Sequence, residues 1–145
     1  MSSFMENCGE KSDCICLRML DTASEKEIEA LYRDAGWWQN DWDSSFIAPM
    51  IRGSFLFAGA FFQGRQIGMG RALSDGVSDA YIQDVVVLKE FRGKKIGSRI
   101  TVFLVEELQR RGIDWIGLIG EPGTKDFYER LGFQEMKNFI PMRLS

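Results

Sequence analysis

A buried-strand sequence that runs through a basic, glycine-containing turn into a helical repeat constrains this chain more than any other stretch. Residues 85–87 are consecutive valines, which are typical of a strand buried on both faces. Over residues 96–111, apolar side chains recur at helical spacing and predict a long helix. The turn between the two carries Arg92, Lys94 and Lys95. This order predicts a helix that begins where a strand ends, in a domain that combines helices with a sheet.

The start of the long helix is suited to binding a phosphate group. Backbone N–H groups in the first turn of a helix lack intrahelical partners, and the helix dipole adds partial positive charge there. Gly93 and Gly97 let the backbone approach a ligand closely. The alternative is a solvated turn between two core elements, and this stretch alone leaves both open. It matches neither the P-loop pattern G-x-x-x-x-G-K-S/T nor the dinucleotide-binding fingerprint G-x-G-x-x-G.

The composition limits which catalytic groups and metal sites the chain can have. The chain has 145 residues, a formal net charge of −3 and no histidine. A chain of this length forms one domain with a proper core, and its small negative charge gives no bulk attraction to nucleic acid. The absence of histidine excludes a Ser–His–Asp triad, a Cys–His pair and any histidine-containing zinc site. We expect no metal site, and proton transfer by carboxylates, tyrosine, cysteine, lysine, backbone groups or water.

The N-terminal part is expected to be structurally simple. Met1 to about Asp13 shows no periodicity and is predicted to be a loose leader of a single domain over residues 1–145. Cys8, Cys14 and Cys16 are odd in number and match no C-x-x-C spacing, so we expect small buried side chains. The sequence carries no secretory signal and no apolar run of membrane-spanning length. We therefore predict a reduced, cytoplasmic protein without a membrane partner.

Hydrophobic periodicity predicts an α+β fold with one mixed sheet. An antiparallel meander of three strands should precede the long helix, and the strand after that helix should be parallel to the last strand of the meander. The predicted strands cover residues 14–20, 55–62, 67–73, 80–88 and 113–119, with further strands beginning at Phe133 and at Met142, and the helices before the meander cover residues 25–35 and 44–52.

An aromatic and acidic cluster follows the first predicted helix. Within seven residues it contains Trp37, Trp38, Asp41 and Trp42. Indole faces and carboxylates together suit a cationic amine or an aromatic substrate, which predicts a substrate pocket. The alternative is that these large rings pack a loop against the core.

Two motifs together resemble a known family. Arg92-Gly93-Lys94-Lys95-Ile96-Gly97 resembles the R/Q-x-x-G-x-G/A loop of the GNAT superfamily of acyl-CoA-dependent N-acetyltransferases, with Lys95 in place of the usual middle glycine. Phe127-Tyr128 followed by Gly132-Phe133 resembles the second hallmark of that superfamily, in the expected order and at the expected separation. If Lys95 adopts a positive φ, its side chain costs about 1 kcal/mol.

The resemblance implies an acetyl-CoA site. It implies a mixed sheet whose parallel strand pair is splayed at the cofactor by a bulge around residues 85–87, flanked by about four helices. It also implies that Tyr128 is the catalytic acid that protonates the CoA thiolate. The implied cofactor contacts are Val85, Val86, Val87, Arg92, Gly93, Lys94, Lys95, Ile96, Gly97, Ser98, Phe127 and Tyr128.

The general base stays unassigned. Many members of the family carry a glutamate where this chain has Gln83, and glutamine is not a useful base. Asp84 is predicted to point to the opposite face of the strand by alternation. A water chain that ends at Asp41, Asp43 or a backbone carbonyl is an equal candidate. Glu121 stands where the family usually has an asparagine.

The predicted function is transfer of an acetyl group from acetyl-CoA to the primary amine of a small molecule, by direct attack in a ternary complex. One alternative is a non-catalytic acyl-CoA-binding regulatory module, which Gln83 and Lys95 favour. Another is an enzyme that acetylates a protein N-terminus or a lysine. A homodimer is left open.

Overall fold

The computed structural model describes residues 14–145, which form a five-stranded mixed sheet with helices on both faces. Strands β1 to β4 are antiparallel neighbours, and β5 pairs with β4 in parallel. This confirms the predicted fold class. The predicted leader over residues 1–13 lies outside the described residues. The strands are β1 (Cys16–Met19), β2 (Leu56–Phe62), β3 (Arg65–Ser74), β4 (Asp79–Val87) and β5 (Trp115–Leu118), and the helices are α1 (Glu25–Asp34), α2 (Ile47–Gly53), α3 (Ile96–Arg110) and α4 (Lys125–Arg130).

Helix α1 begins at a side-chain cap. The Glu27 backbone N–H donates to Ser24 Oγ at 3.3 Å, and acidic residues in the first turn favour the positive end of the helix dipole. Ile28, Leu31 and Tyr32 form the buried stripe of α1. A short 3₁₀ turn over Ser44–Phe46 then leads into α2.

Helix α3 packs closely on the sheet because β3 presents glycines to it. A Cβ atom added at Gly70 would lie 2.8 Å from Ile100 Cγ2 and 3.1 Å from Leu104 Cδ1. The apolar stripe of α3 that covers this face is fully buried and consists of Ile96, Ile100, Leu104 and Leu108. Close helix–sheet packing fixes where α3 begins relative to the end of β4.

A bulge interrupts β4 where it crosses Gly70 of β3. Met69 pairs with Val86 and Arg71 pairs with Gln83, so three steps along β4 match two steps along β3. Asp84, inside the bulge, has a φ of +56°. The bulge therefore lies at positions 84 and 85, at the start of the predicted region.

Strands β4 and β5 separate at the same point. Their parallel pairing runs from Asp79 opposite Trp115 to Ile82 opposite Leu118 and ends there. The backbone of residues 83–87 consequently has no strand partner on the β5 side within the described chain. The bulge thus coincides with the opening of the sheet.

Four side chains form hydrogen bonds at the bulge. Asp84 Oδ2 accepts hydrogen bonds from Tyr32 Oη and from Arg71 Nε, both at 2.7 Å. Arg71 also donates through Nη2 to Gln83 Oε1 at 3.2 Å. Burial, and then the charge of Asp84, raise the pKa of the Tyr32 phenol, so this hydroxyl stays a donor.

The prediction that Asp84 points away from Gln83 is wrong. Both side chains reach the same guanidinium, and both line the same cavity. The extra residue of the bulge breaks the period of two on which that prediction rested.

The C-terminal residues form no strand in the structure, so the strands predicted at Phe133 and Met142 are wrong. Gly132 and Asn138 have φ values of +97° and +69°, which turn the chain away from an extended path. Pro141 removes one backbone donor.

Two further predictions concern the N-terminal cysteines and the membrane. Cys14 and Cys16 are half-buried, so the expectation of small buried side chains is met only in part, and Cys8 lies outside the described residues. Over residues 14–145, none of the helices combines the length and apolar character needed to span a membrane. Cytoplasmic location stays a prediction.

Gly70→Ala should destabilise the fold. The added methyl group meets Ile100 and Leu104 in a close-packed layer, so we expect a loss of about 1–3 kcal/mol in the free energy of unfolding, measured by urea titration. Gly53→Ala is the matched control because nothing lies within 4 Å of its Cβ position, and it should change stability by less than about 0.5 kcal/mol. Equal losses for the two variants would contradict close packing at Gly70.

Asp84→Ala should destabilise the fold more than Asp84→Asn. Alanine leaves Arg71 and Tyr32 without their shared acceptor and is strained at positive φ, so we expect a loss of about 2–4 kcal/mol. Asparagine tolerates this backbone conformation and keeps an acceptor oxygen, so its loss should be about 1 kcal/mol. Urea unfolding curves that coincide for the two variants would show that the bulge does not depend on this acceptor.

Candidate active site

The opening between β4 and β5, the start of α3 and the start of α4 meet at one place. A methyl group at Gly97, in the first turn of α3, would lie 3.5 Å from the Phe127 ring of α4 and 3.9 Å from Val87 Cγ2. The glycine thus lets α3 begin beside the end of β4, with α4 in contact. Both sequence motifs and the valine strand are brought together here.

The start of α3 presents a group of unpaired backbone donors. Among the described residues, none accepts a hydrogen bond from the backbone N–H groups of residues 93–98. Gly93 has a φ of +81°, and Lys95, the residue before the helix, has a φ of +63°. A lysine at that angle is strained by about 1 kcal/mol, so the departure from the usual glycine has a real conformational cost.

The basic side chains of this loop have different environments. Arg92 Nε donates to the Val87 carbonyl at 2.8 Å, and Nη2 donates to the Asp34 carbonyl at 3.3 Å. Arg92 therefore ties the end of β4 to the end of α1. The Lys94 amine lies 5.5 Å from the centre of the Phe91 ring. Lys94 and Lys95 are both exposed beside the unpaired amides.

The parted strands enclose a cavity of about 320 Å³, which we call the slot. It is lined by β4 from its last two pairs with β5 into the bulge, by the end of β5 and residues just after it, by Trp37 and by one residue of α4. The lining residues are Trp37, Tyr81, Ile82, Gln83, Asp84, Val85, Leu118, Ile119, Glu121 and Tyr128. Val85 and Tyr128 were predicted cofactor contacts and line the slot. Val86 and Val87 are buried within the sheet.

Tyr128 lies half-buried in the wall of the slot. Its ring makes edge-to-face contacts with Phe127 and Phe133, at centroid distances of 4.9 Å and 5.8 Å. Burial, and then the nearby charge of Glu121, raise the pKa of the Tyr128 phenol above its ordinary value. The phenol therefore keeps its proton throughout the physiological range and is available as a donor.

A second cavity of about 690 Å³ lies on the side of the aromatic cluster, and we call it the aromatic cavity. Trp37 and Asp84 line both this cavity and the slot, so the two share a wall. The other lining residues are Tyr32, Asp41, Trp42, Asp43, Phe46, Met50 and Arg71. Hydrogen bonds from Ser45 hold the pKa of Asp43 below its usual value, so this carboxylate is charged.

The structure places three of the four predicted substrate residues in the wall of the aromatic cavity. Trp37, Asp41 and Trp42 line the aromatic cavity, whereas Trp38 lines neither cavity. Trp38 packs against Trp42 and Phe46 at ring-centroid distances of 5.6 Å and 5.8 Å. Its part in binding a substrate stays a prediction.

One hydrogen bond joins the aromatic cluster to the C-terminal motif. Trp37 Nε1 donates to Glu121 Oε1 at 3.1 Å, across 84 residues of chain. Both residues line the slot. The hydrogen bond places a carboxylate on the wall that also carries Tyr128.

Sequence analysis missed Arg71 and Tyr32 as parts of this site. Arg71 is the one charged residue in the apolar run from Ile67 to Leu73, and a charge inside a buried strand predicts a paired carboxylate. Tyr32 carried no such signal because it lies on the apolar stripe of α1. Glu121 was noted only as a departure from the family motif.

Comparisons with known proteins agree with this geometry. Residues 53–135, more than half of the chain, match the family described as Acetyltransferase (GNAT) domain. An uncharacterized N-acetyltransferase, ycf52, of Gracilaria tenuistipitata var. liui is 32% identical over 111 residues, which are 74% of this chain and 60% of that relative. The match therefore spans less than two thirds of the relative's length.

Solved structures share the fold. A Staphylococcus aureus protein of unknown function, described as a probable acetyltransferase, has a TM-score of 0.79 at 20% identity and covers 91% of this chain and 99% of its own. The structure of AAC(6′)-Iy in complex with the bisubstrate analogue CoA-S-monomethyl-acetylneamine has a TM-score of 0.72 at 16% identity, with coverages of 91% and 99%. The chain belongs to the GNAT acetyltransferase family, whose members are acetyl-CoA-dependent transferases.

Proposed function

We propose that this chain transfers an acetyl group from acetyl-CoA to the primary amine of a small molecule, by direct attack in a ternary complex. The observation that carries the proposal is the slot between β4 and β5, which has Tyr128 in its wall and unpaired helix amides near its end. That AAC(6′)-Iy, with the same fold, was solved with a CoA-containing analogue supports acetyl-CoA as the donor.

The backbone supplies most of the donor site. Within the part of the chain that the structure describes, residues 85–87 have a strand edge without a partner, which can pair with the amide groups of a pantetheine arm as an added strand. The unpaired amides of residues 93–98 can hold a diphosphate at the positive end of the α3 dipole. Lys94 and Lys95 add positive charge beside it.

The chemistry needs one bond formed and one broken. The amine nitrogen attacks the thioester carbonyl carbon, and collapse of the intermediate breaks the carbon–sulfur bond. Tyr128 donates its phenolic proton to the departing thiolate, which leaves as free CoA. The raised pKa of Tyr128 keeps that proton in place until sulfur accepts it. In this proposal, a backbone N–H near Val86 stabilises the oxyanion.

The aromatic cavity suits the acceptor. Its walls are rings and a thioether, whereas its rim carries the carboxylates of Asp41 and Asp43. Asp84 contributes little net charge there because Arg71 is paired with it. Exposed carboxylates next to indole faces favour a cation with an aromatic or apolar body. We propose an arylalkylamine-like acceptor that reaches the slot past Trp37 and Asp84.

Tyr128→Phe should slow acetyl transfer without weakening CoA binding. Removing the phenolic proton leaves the thiolate to be protonated by water, so kcat should fall by about 10²-fold or more. The measurement is thiol release from acetyl-CoA with 2-phenylethylamine as acceptor, alongside calorimetric titration of CoA. The Kd for CoA should stay within twofold of the wild-type value.

Two other outcomes of that experiment have clear meanings. A variant with near-normal kcat would refute Tyr128 as the acid. Wild-type chain that binds CoA and transfers acetyl to no amine would instead favour a non-catalytic acyl-CoA-binding module.

Trp42→Ala should reduce selectivity for aromatic amines. Loss of one indole wall should raise the KM for 2-phenylethylamine by about tenfold, while the KM for acetyl-CoA and the rate with n-butylamine change little. Trp115→Ala is the control, because Trp115 is also partly exposed but lines neither cavity. If both variants lose aromatic selectivity equally, the aromatic cavity is not the acceptor site.

A further inference from the structure

We infer that Glu121 accepts the proton that the acceptor ammonium group loses before and during attack, an assignment that rests on the proposed acetyl transfer. Glu121 lies three residues beyond Leu118, the last residue of β5, where the sheet has opened. It lines the slot together with Tyr128 and with the bulge of β4. The candidate acid and this carboxylate therefore share one wall of the reaction space.

The other groups near the slot cannot serve as a base. Only Asp84 and Glu121 are carboxylates among the ten residues that line it. Asp84 already accepts hydrogen bonds from Arg71 and Tyr32 through one oxygen and is ion-paired with the Arg71 guanidinium, so its carboxylate is engaged in holding the bulge. Gln83 carries a neutral amide, which is too weak a base to accept a proton.

The remaining acidic side chains face elsewhere. Asp41 and Asp43 line the aromatic cavity and are absent from the lining of the slot. They stand where an ammonium group would be recognised before it reaches the thioester. Recognition and deprotonation are thus assigned to different carboxylates.

The surroundings of Glu121 suit a proton acceptor. One carboxylate oxygen, Oε1, accepts from Trp37 Nε1 at 3.1 Å, and in the described part of the chain no donor contacts Oε2. The Glu121 backbone carbonyl accepts from the Thr124 hydroxyl at 2.6 Å and from the Thr124 N–H at 3.1 Å, which fixes the turn. The side chain is exposed on its outer side, so an accepted proton can pass to water.

Glu121 and Tyr128 together account for every proton that moves in the proposed reaction. The ammonium group gives one proton to Glu121 and becomes a nucleophilic amine. After attack, the same nitrogen loses a second proton through Glu121, while Tyr128 protonates the thiolate. One proton returns Tyr128 to its phenol form and the other leaves to solvent. The net products are the acetylated amide, free CoA and one proton.

Glu121→Gln is the central variant. Glutamine keeps an oxygen that can accept from Trp37 but cannot hold the proton, so we expect kcat/KM with acetyl-CoA and 2-phenylethylamine to fall by about 10²- to 10⁴-fold. The Kd for CoA, measured by calorimetry, should stay within twofold. Glu121→Ala should lose activity to a similar degree. Added formate, which supplies a small carboxylate, should raise the activity of this variant at least tenfold.

Trp37→Phe separates a proton-transfer role from a positioning role. This variant removes the indole N–H donor and leaves the carboxylate, so we expect a loss of less than tenfold. The inference is overturned if Glu121→Gln keeps more than half of the wild-type kcat/KM. It is also overturned if Trp37→Phe lowers kcat/KM as much as Glu121→Gln does and added formate restores no activity to Glu121→Ala.

The same measurements distinguish failure of the inference from failure of the proposed function. Active wild type with an equally active Glu121→Gln variant contradicts only the role of Glu121. Wild type that binds CoA but releases no thiol with 2-phenylethylamine or with hydrazine, a nucleophile that needs no shaped pocket, contradicts the proposed function, and the role of Glu121 falls with it.

Discussion

The bulge at Asp84 is the constraint on which the rest of the site depends. An extra residue in β4 shifts its register against β3, and pairing with β5 ends at Ile82, two residues before Asp84. Aspartate is among the few side chains that adopt positive φ readily, and here its carboxylate satisfies Arg71 and Tyr32 together. The distortion is stabilised because two donors that are shielded from solvent share this acceptor.

The same interaction organises the chemistry on either side of it. Asp84 lines both the slot and the aromatic cavity, and Trp37 is the other shared wall. Because Arg71 pairs with Asp84, the wall between the cavities carries little net charge. Among residues 14–145, Glu121 then remains as the carboxylate of the slot that has no cationic partner. In the proposed reaction, the aromatic cavity recognises the cation and the slot is where its proton is removed.

Sequence reasoning predicted the parts of this molecule that depend on local pattern. Valine periodicity, the glycine turn and the apolar stripe of α3 predicted the strand–turn–helix unit and the parallel pairing of β5. Side chains at the bulge could not be placed, because one inserted residue reverses the alternation from which their direction is predicted. The partnership of Tyr32 with Asp84 spans 52 residues and leaves no local trace. The missing C-terminal strands reflect turns at Gly132 and Asn138, which outweigh the apolar composition there.

A nuclear magnetic resonance titration of the isotope-labelled chain with CoA tests the central claim most directly. The account predicts that the largest amide shifts occur at residues 85–87 and 93–98, which are the strand edge left open by the bulge and the unpaired turn before and within α3. It also predicts that Asp84→Ala, which disturbs the bulge, weakens the first set of shifts more than the second. Shifts concentrated elsewhere, or none at millimolar CoA, a limit of about −4 kcal/mol, would contradict it.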